Sequence, residues 1–178
     1  MISGHVFIAT SLDGFIARNN GEIDWLLSLD SRDEDHGYNS FIEDIDGIIM
    51  GRGSYEKVST FDPWPYNKPV VVLSKSLAGA PIPQKLEGQL RFLNLSPKEA
   101  MRQMAEAGWK KVYIDGGQII QSFLREKLIA DLIVTKIPVL IGEGRPLFGL
   151  LHEDVSLTHL QTKSFPSGLV QSHYRVKT

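Results

Sequence analysis

At 178 residues, 42% hydrophobic and 22% charged, the chain has the size and balance of one globular domain with one sizeable core. Its formal net charge of -2 leaves no strong footprint for nucleic acid or an anionic membrane. The lack of cysteine excludes a disulfide framework, a thiolate metal site and a cysteine nucleophile, and it accords with a reducing cytoplasm.

The N-terminus, Met1-Ile2-Ser3-Gly4-His5, has no basic stretch and no long apolar run, so no secretory leader is expected. Residues 5–10 read as a first strand, mostly apolar and therefore central. A loop, Ser11-Leu12-Asp13-Gly14, leads to Phe15-Ile16-Ala17 and a turn at Asn19-Asn20-Gly21. Residues 33–44 begin polar and turn apolar at Phe41 and Ile42, which predicts an amphipathic helix. Ile48-Ile49-Met50 is a short buried strand, followed by a glycine-opened helix over 51–59. The valine-rich run 69–74 is a strand, and 90–95 is another.

Ser96-Pro97-Lys98-Glu99 predicts a helix start with a capping box. Gly108 is placed to end that helix. Residues 111–115 form a strand, and Gly116-Gly117 opens a helix with apolar Ile119, Ile120, Phe123 and Leu124. A strand over 131–139 follows. The tail reads as a hairpin of strands near 155–164 and 169–177 around Pro166-Ser167-Gly168. The longest apolar runs are strand-sized, far short of the roughly 20 residues that span a bilayer. No repeat or linker breaks the chain, so 1–178 reads as a single domain. The alternation implies an α/β fold with a central, mostly parallel mixed sheet, helices on both faces and a C-terminal antiparallel hairpin.

Two strand–glycine–helix junctions carry the chemistry. One is Ile48-Ile49-Met50-Gly51-Arg52-Gly53-Ser54; the other is Val112-Tyr113-Ile114-Asp115-Gly116-Gly117-Gln118. Glycine lets backbone approach a ligand, and a helix start offers free N–H groups and partial positive charge. Two such starts suit a pyrophosphate, with Arg52 as a fixed cationic fork. Each junction taken alone is as often a simple tight turn. At a third junction the strand 70–73 ends in Ser74-Lys75-Ser76. An acidic residue there would hold a ribose hydroxyl; hydroxyls and a cation suit a 2′-phosphate, which favours NADP(H) over NAD(H). No Rossmann glycine fingerprint, Walker motif or nucleophile elbow occurs. The five histidines show no ligand-type pairing, so no catalytic metal is expected.

Together these segments resemble the dihydrofolate reductase superfamily. Residues 48–56 look like its Gly-Arg phosphate turn, Val71-Val72-Leu73-Ser74-Lys75 like its adenosine-phosphate strand end, and 114–120 like its Gly-Gly turn. Ala9-Thr10-Ser11-Leu12-Asp13-Gly14 and 137–144 look closer to the reductase domain of the bacterial riboflavin-biosynthesis deaminase/reductase. The zinc deaminase half of that enzyme has no counterpart here. Asp115 stands where that reductase domain usually has Glu. The resemblance implies the dihydrofolate-reductase-like three-layer fold. It implies a cytoplasmic NADPH-dependent reductase, in riboflavin biosynthesis the 5-amino-6-(5-phosphoribosylamino)uracil reductase, with hydride passed to a small heterocyclic or ribosyl substrate. It also implies a homodimer.

On this reading Ala9, Thr10, Ile16 and Ala17 flank the nicotinamide. Gly51, Arg52, Gly53, Ser54, Ile114, Gly116, Gly117, Gln118 and Ile119 hold the phosphates, and Leu73, Ser74 and Lys75 hold the 2′-phosphate. Trp25, Asp30, Asp13 and Thr135 face the substrate. Asp30 is the first candidate proton donor, because its spacing from Trp25 matches the superfamily's acidic position; Asp13 is the second. Bland readings stand beside these: Trp25 as a loop-anchoring core residue, Asp30 as a helix cap, Asp13 as an Asp-Gly turn. The alternatives at this level are dihydrofolate reductase activity or a nucleotide-binding module without catalysis.

Overall fold

A computed structural model of the protein describes residues 1–177. Ten strands and five α-helices follow one another: β1 (Ser3–Ser11), β2 (Phe15–Ala17), α1 (Asp24–Leu27), α2 (Tyr38–Glu43), β3 (Gly47–Gly51), α3 (Arg52–Val58), β4 (Val70–Leu73), β5 (Leu90–Leu93), α4 (Pro97–Glu106), β6 (Lys111–Asp115), α5 (Gly117–Arg125), β7 (Ile129–Ile137), β8 (Arg145–Pro146), β9 (Leu157–Ser164) and β10 (Val170–Val176).

Eight strands form one mixed sheet in the order β5-β4-β3-β6-β1-β7-β10-β9. The first six are mutually parallel, and the hairpin β9–β10 adds antiparallel to β7. Central parallel strands are covered on both faces, which is why 48–50 and 70–72 are apolar throughout rather than alternating. Ile49 and Val71 join α4 and α5 through Met101, Met104, Ile120 and Phe123. Their neighbours Ile48, Met50, Val70 and Val72 face the other way, toward Ile45 and the partly buried Tyr55 and Val58 of α3.

Local signals were obeyed where they were chemical. Ser96 caps α4 and Glu99 returns the bond, a complete capping box with Pro97 in the first turn. The hairpin turns through Gly168 at φ 90, a conformation open to glycine. The helix expected over 33–44 is shorter, Tyr38–Glu43. Its expected first turn is drawn off by its own side chains. The Asp35 carboxylate accepts from the Gly37 amide at 2.8 Å, and Glu34 accepts from the Ser167 amide and hydroxyl at 2.7 and 2.6 Å. A separate two-stranded ribbon, β2–β8, was not foreseen, because a two-residue strand carries no period.

Gly47 opens β3 beneath Trp109, whose ring fills the space a Cβ would need. Gly47→Ala should therefore lower stability by about 1–3 kcal/mol, the usual penalty of overpacking. The check is a urea titration, in which the midpoint falls while the slope stays unchanged.

Candidate functional site

The order β4-β3-β6-β1 brings four carboxyl strand ends together, and they open into a cleft of about 930 Å³. Parallel β3 and β6 pair in a register that sets Met50 against Asp115. The glycine turns that follow them therefore lie side by side. Gly116 has φ 97, and a Cβ on it would meet the Ser54 Oγ at 2.8 Å, so the two turns touch only because this residue is glycine. α3 and α5 start from these turns, and neither N-terminus is capped by a side chain. Their first N–H groups keep their donors and their partial positive charge for whatever enters the cleft.

The β4 end adds a cationic, hydroxyl-bearing corner. Arg52 donates to the Ser76 hydroxyl at 3.3 Å, and the Ser74 and Ser76 hydroxyls are 3.1 Å apart. Lys75 lines the cleft beside them. Arg52 also pairs with Glu56 one turn on, at 3.4 Å. Two uncapped helix starts and this corner form a donor set that fits the phosphates of a dinucleotide.

On the α2–α3 face the cleft becomes aromatic. Phe7, Phe61 and Tyr113 line it beside Asp115. Phe41 stands edge-on to Tyr113 at 5.1 Å and tilted to Phe7 at the same distance. The Tyr113 hydroxyl donates to the Phe7 carbonyl at 2.9 Å. Burial pushes the Asp115 carboxyl above the ordinary carboxylate range, and the Ser54 hydroxyl, the Gly116 amide and the Tyr113 hydroxyl pull against that rise. Burial and the Asp115 charge push Tyr38 up to about 12 and raise Tyr66 and Tyr113 further, so all three phenols stay neutral near pH 7.

Most of the residues expected to hold a cofactor line this one cleft. Ala9, Ile16 and Ala17 do so from β1 and β2, Gly51 to Ser54 from the first turn, Leu73 to Lys75 from the corner, and Gly116 to Ile119 from the second turn. Thr10 and Ile114 do not. Both are fully buried in the sheet, and the Thr10 hydroxyl has no partner. Gly117 proves to be a packing glycine: a Cβ there would meet the Pro146 carbonyl oxygen at 2.7 Å. A side chain at this position would push β8 off α5 before it blocked any ligand.

The four residues expected to face the substrate are not brought to the cleft. Asp30 is exposed and pairs with Arg32 at 3.0 Å, which holds its carboxyl below the ordinary range rather than above it. Asp13 ties two loops together by accepting from the Ile141 and Gly142 amides at 3.3 and 2.8 Å. Its hydrogen bond from Ser11, with these amides, keeps it ionised. Thr135 is buried on β7 and accepts from Gln171 at 3.0 Å. Trp25 is buried against Ile137 and Leu169. Asp30, Asp13 and Thr135 find polar partners within the fold and Trp25 packs its ring there, although its buried Nε1 has no partner; spacing along the chain does not reveal this.

Two residues that sequence spacing left without a role stand in the cleft instead. Asp115 was visible as the residue before Gly-Gly. Arg145, on the unforeseen β8, lies over the first turn: a Cβ on Gly53 would meet its Nη1 at 3.0 Å. Its guanidinium also donates to the Asn19 carbonyl at 3.3 Å, so the β2–β8 ribbon carries a fourth cation into the cleft. No cluster of metal-ligating side chains occurs among the described residues.

The family profile described as RibD C-terminal domain matches residues 4–171. The chain belongs to the RibD C-terminal domain family. It is 33% identical over 171 residues to the uncharacterized protein YwjB of Bacillus subtilis, covering 95% of each chain. Among solved structures it resembles a protein of Shewanella sp. PV-4 provisionally assigned to riboflavin biosynthesis (37% identity, TM-score 0.91, 99% of this chain and 100% of that one). At 16% identity it shares the fold of the Thermotoga maritima diaminohydroxyphosphoribosylaminopyrimidine deaminase/5-amino-6-(5-phosphoribosylamino)uracil reductase, with a TM-score of 0.73 over 99% of this chain and 57% of that one. It also shares the fold of Enterococcus faecalis dihydrofolate reductase (16% identity, TM-score 0.68, 99% and 97% covered). The fold is thus dihydrofolate-reductase-like.

The raised Asp115 carboxyl has a consequence for stability. Its folded value lies above the ordinary 3.8, so folding favours the protonated form. That contribution is fully present below the unfolded value and is lost as pH rises through the folded one. Asp115→Asn, a neutral isostere, should therefore melt above the wild type at pH 8, with the gap closing as the pH is lowered toward 4. Melting temperatures across that range test it.

Proposed function

We propose that this RibD-family chain is an NADPH-dependent reductase that passes hydride to a small heterocyclic or ribosyl substrate, in the manner of 5-amino-6-(5-phosphoribosylamino)uracil reductases. The observation that carries the reading is the single cleft that joins two uncapped helix starts to the Arg52–Ser74–Lys75–Ser76 corner and to a half-buried carboxyl. NADPH, when bound, supplies the hydride. Gly51 to Ser54 and Gly116 to Ile119 would hold its pyrophosphate, Ser74, Lys75 and Arg52 its 2′-phosphate, and Ala9, Ile16 and Ala17 would border its nicotinamide.

Asp115 takes the proton-handling role that Asp30 and Asp13 are not placed to fill. Reducing a C=N or C=O bond needs a proton as well as a hydride. A carboxyl whose proton affinity is raised by its surroundings holds a proton more readily than a surface carboxylate paired with arginine. Tyr113, locked onto the Phe7 carbonyl, positions the aromatic wall instead.

A homodimer suits the sheet edge. All eight residues of β9 are exposed, Leu157 and Leu160 among them, and such an edge is normally covered. No helix is long and apolar enough to cross a membrane among the described residues. The same reading sets the enzyme in the cytoplasm.

NADPH should bind more tightly than NADH by about 10- to 150-fold, the scale of one charge-assisted contact. Lys75→Ala should narrow that gap in a fluorescence titration, and equal wild-type affinity for both cofactors overturns the assignment. With a substrate in hand, Asp115→Asn should cut turnover by roughly 10²- to 10⁴-fold while NADPH affinity stays nearly unchanged. Full turnover in that variant would move the proton source to solvent. Tight NADPH binding without oxidation of the cofactor across a panel of pterins and pyrimidines would instead favour a non-catalytic nucleotide-binding module.

A further inference from the structure

Four cations line the cleft: Arg52, Lys57, Lys75 and Arg145. Three of them sit at the phosphate turns, Arg52 and Lys75 in the Ser74–Ser76 corner and Arg145 over Gly53. Lys57 differs. It lies at the far end of α3, next to Val58 and one turn before Phe61, two apolar residues that also line the cleft. It is the cation that an anionic group on a substrate would reach. Its ammonium is already held by the Glu22 carboxylate at 2.9 Å, with the lysine side chain only 24% exposed. Glu22 comes from the turn after β2, whose Gly21 and Ile23 themselves line the cleft.

We propose that Glu22 is a specificity-determining residue. By neutralising Lys57 it turns the substrate end of the cleft toward an uncharged, planar heterocycle and against a phosphorylated one. This rests on the reductase reading and narrows it. A phosphate entering there must displace Glu22 from Lys57 and then lie beside the displaced carboxylate. The remaining walls, Phe7, Leu26, Val58, Phe61 and Tyr113, offer flat apolar surface that suits ring stacking and leaves a phosphate without donors.

The test uses the full chain saturated with NADP⁺, so that no turnover occurs, titrated calorimetrically with uridine and with uridine 5′-phosphate. The wild type should prefer uridine by about tenfold or more. Glu22→Gln frees Lys57 and should raise affinity for uridine 5′-phosphate by about tenfold or more, the scale of one charge-assisted contact, with uridine unchanged. Adding Lys57→Met should erase that gain, which isolates the pair. Lys57→Met alone leaves the Glu22 carboxylate without its counter-ion and should weaken uridine 5′-phosphate further, with uridine affected less. The proposal is overturned if the wild type prefers the phosphate or shows no preference. It is equally overturned if neither compound binds, if Glu22→Gln changes nothing, or if Lys57→Met alone strengthens binding of uridine 5′-phosphate. Failure of the underlying reductase reading shows separately, as failure to bind NADP⁺ or NADPH at all.

Discussion

The pairing of β3 with β6 is the constraint from which the rest of the site follows. Met50 opposite Asp115 puts Gly51 and Gly116 at the same height, so two helices begin at adjacent points on one edge of the sheet. Side chains on both turns would keep them apart; the Gly116–Ser54 approach leaves no room for a Cβ. A slip of one residue would move Asp115 to the opposite face of the sheet and separate the helix starts. The chain order reinforces the arrangement. β6 enters between β3 and β1 after the chain has left toward β4 and β5, which makes this edge the place where strand order reverses and a crevice must open.

The two halves of the cleft use opposite electrostatics. Along the turns the protein presents donors and cations that have few partners of their own: uncapped amides, Arg52, Lys75 and Arg145. On the α2–α3 face it presents aromatic rings around one raised carboxyl and a lysine neutralised by Glu22. Keeping Asp115 in a partly apolar setting costs stability at neutral pH. Ser54, Gly116 and Tyr113 offset part of that cost, and Ser54 belongs to the phosphate turn as well. The donor turn and the buried acid are thus mechanically one unit.

The β2–β8 ribbon closes the cleft from the side opposite the corner. Asp13 anchors it by gripping the Ile141 and Gly142 amides, and Leu147 donates its amide to the Gly14 carbonyl at 3.0 Å. Gly117 packs under Pro146, which keeps the ribbon against the start of α5. In this setting Asp13 shapes the cleft without facing it, and Arg145 reaches the phosphate turn because the ribbon carries it there.

Sequence alone determined the layers, the strand–glycine–helix junctions and most residues of the glycine-turn side of the cleft. Those signals are local: apolar runs buried on both faces, glycine where positive φ or close approach is needed, Ser-Pro-x-Glu at a helix start. They are read within a few residues and survive folding unchanged. The substrate half was not legible in this way. Asp30, Asp13, Trp25 and Thr135 had suitable chemistry and spacing, yet each found its partner elsewhere: Arg32, the 141–142 amides, the Ile137–Leu169 cluster and Gln171. Only the tertiary structure decided that Asp115 is the cleft carboxyl with a raised pKa, that Arg145 overlies the first turn, and that Lys57 is spent on Glu22, 35 positions away. Burial and ion pairing depend on which segments the sheet register brings together, and a carboxylate's neighbours along the chain say little about its neighbours in space.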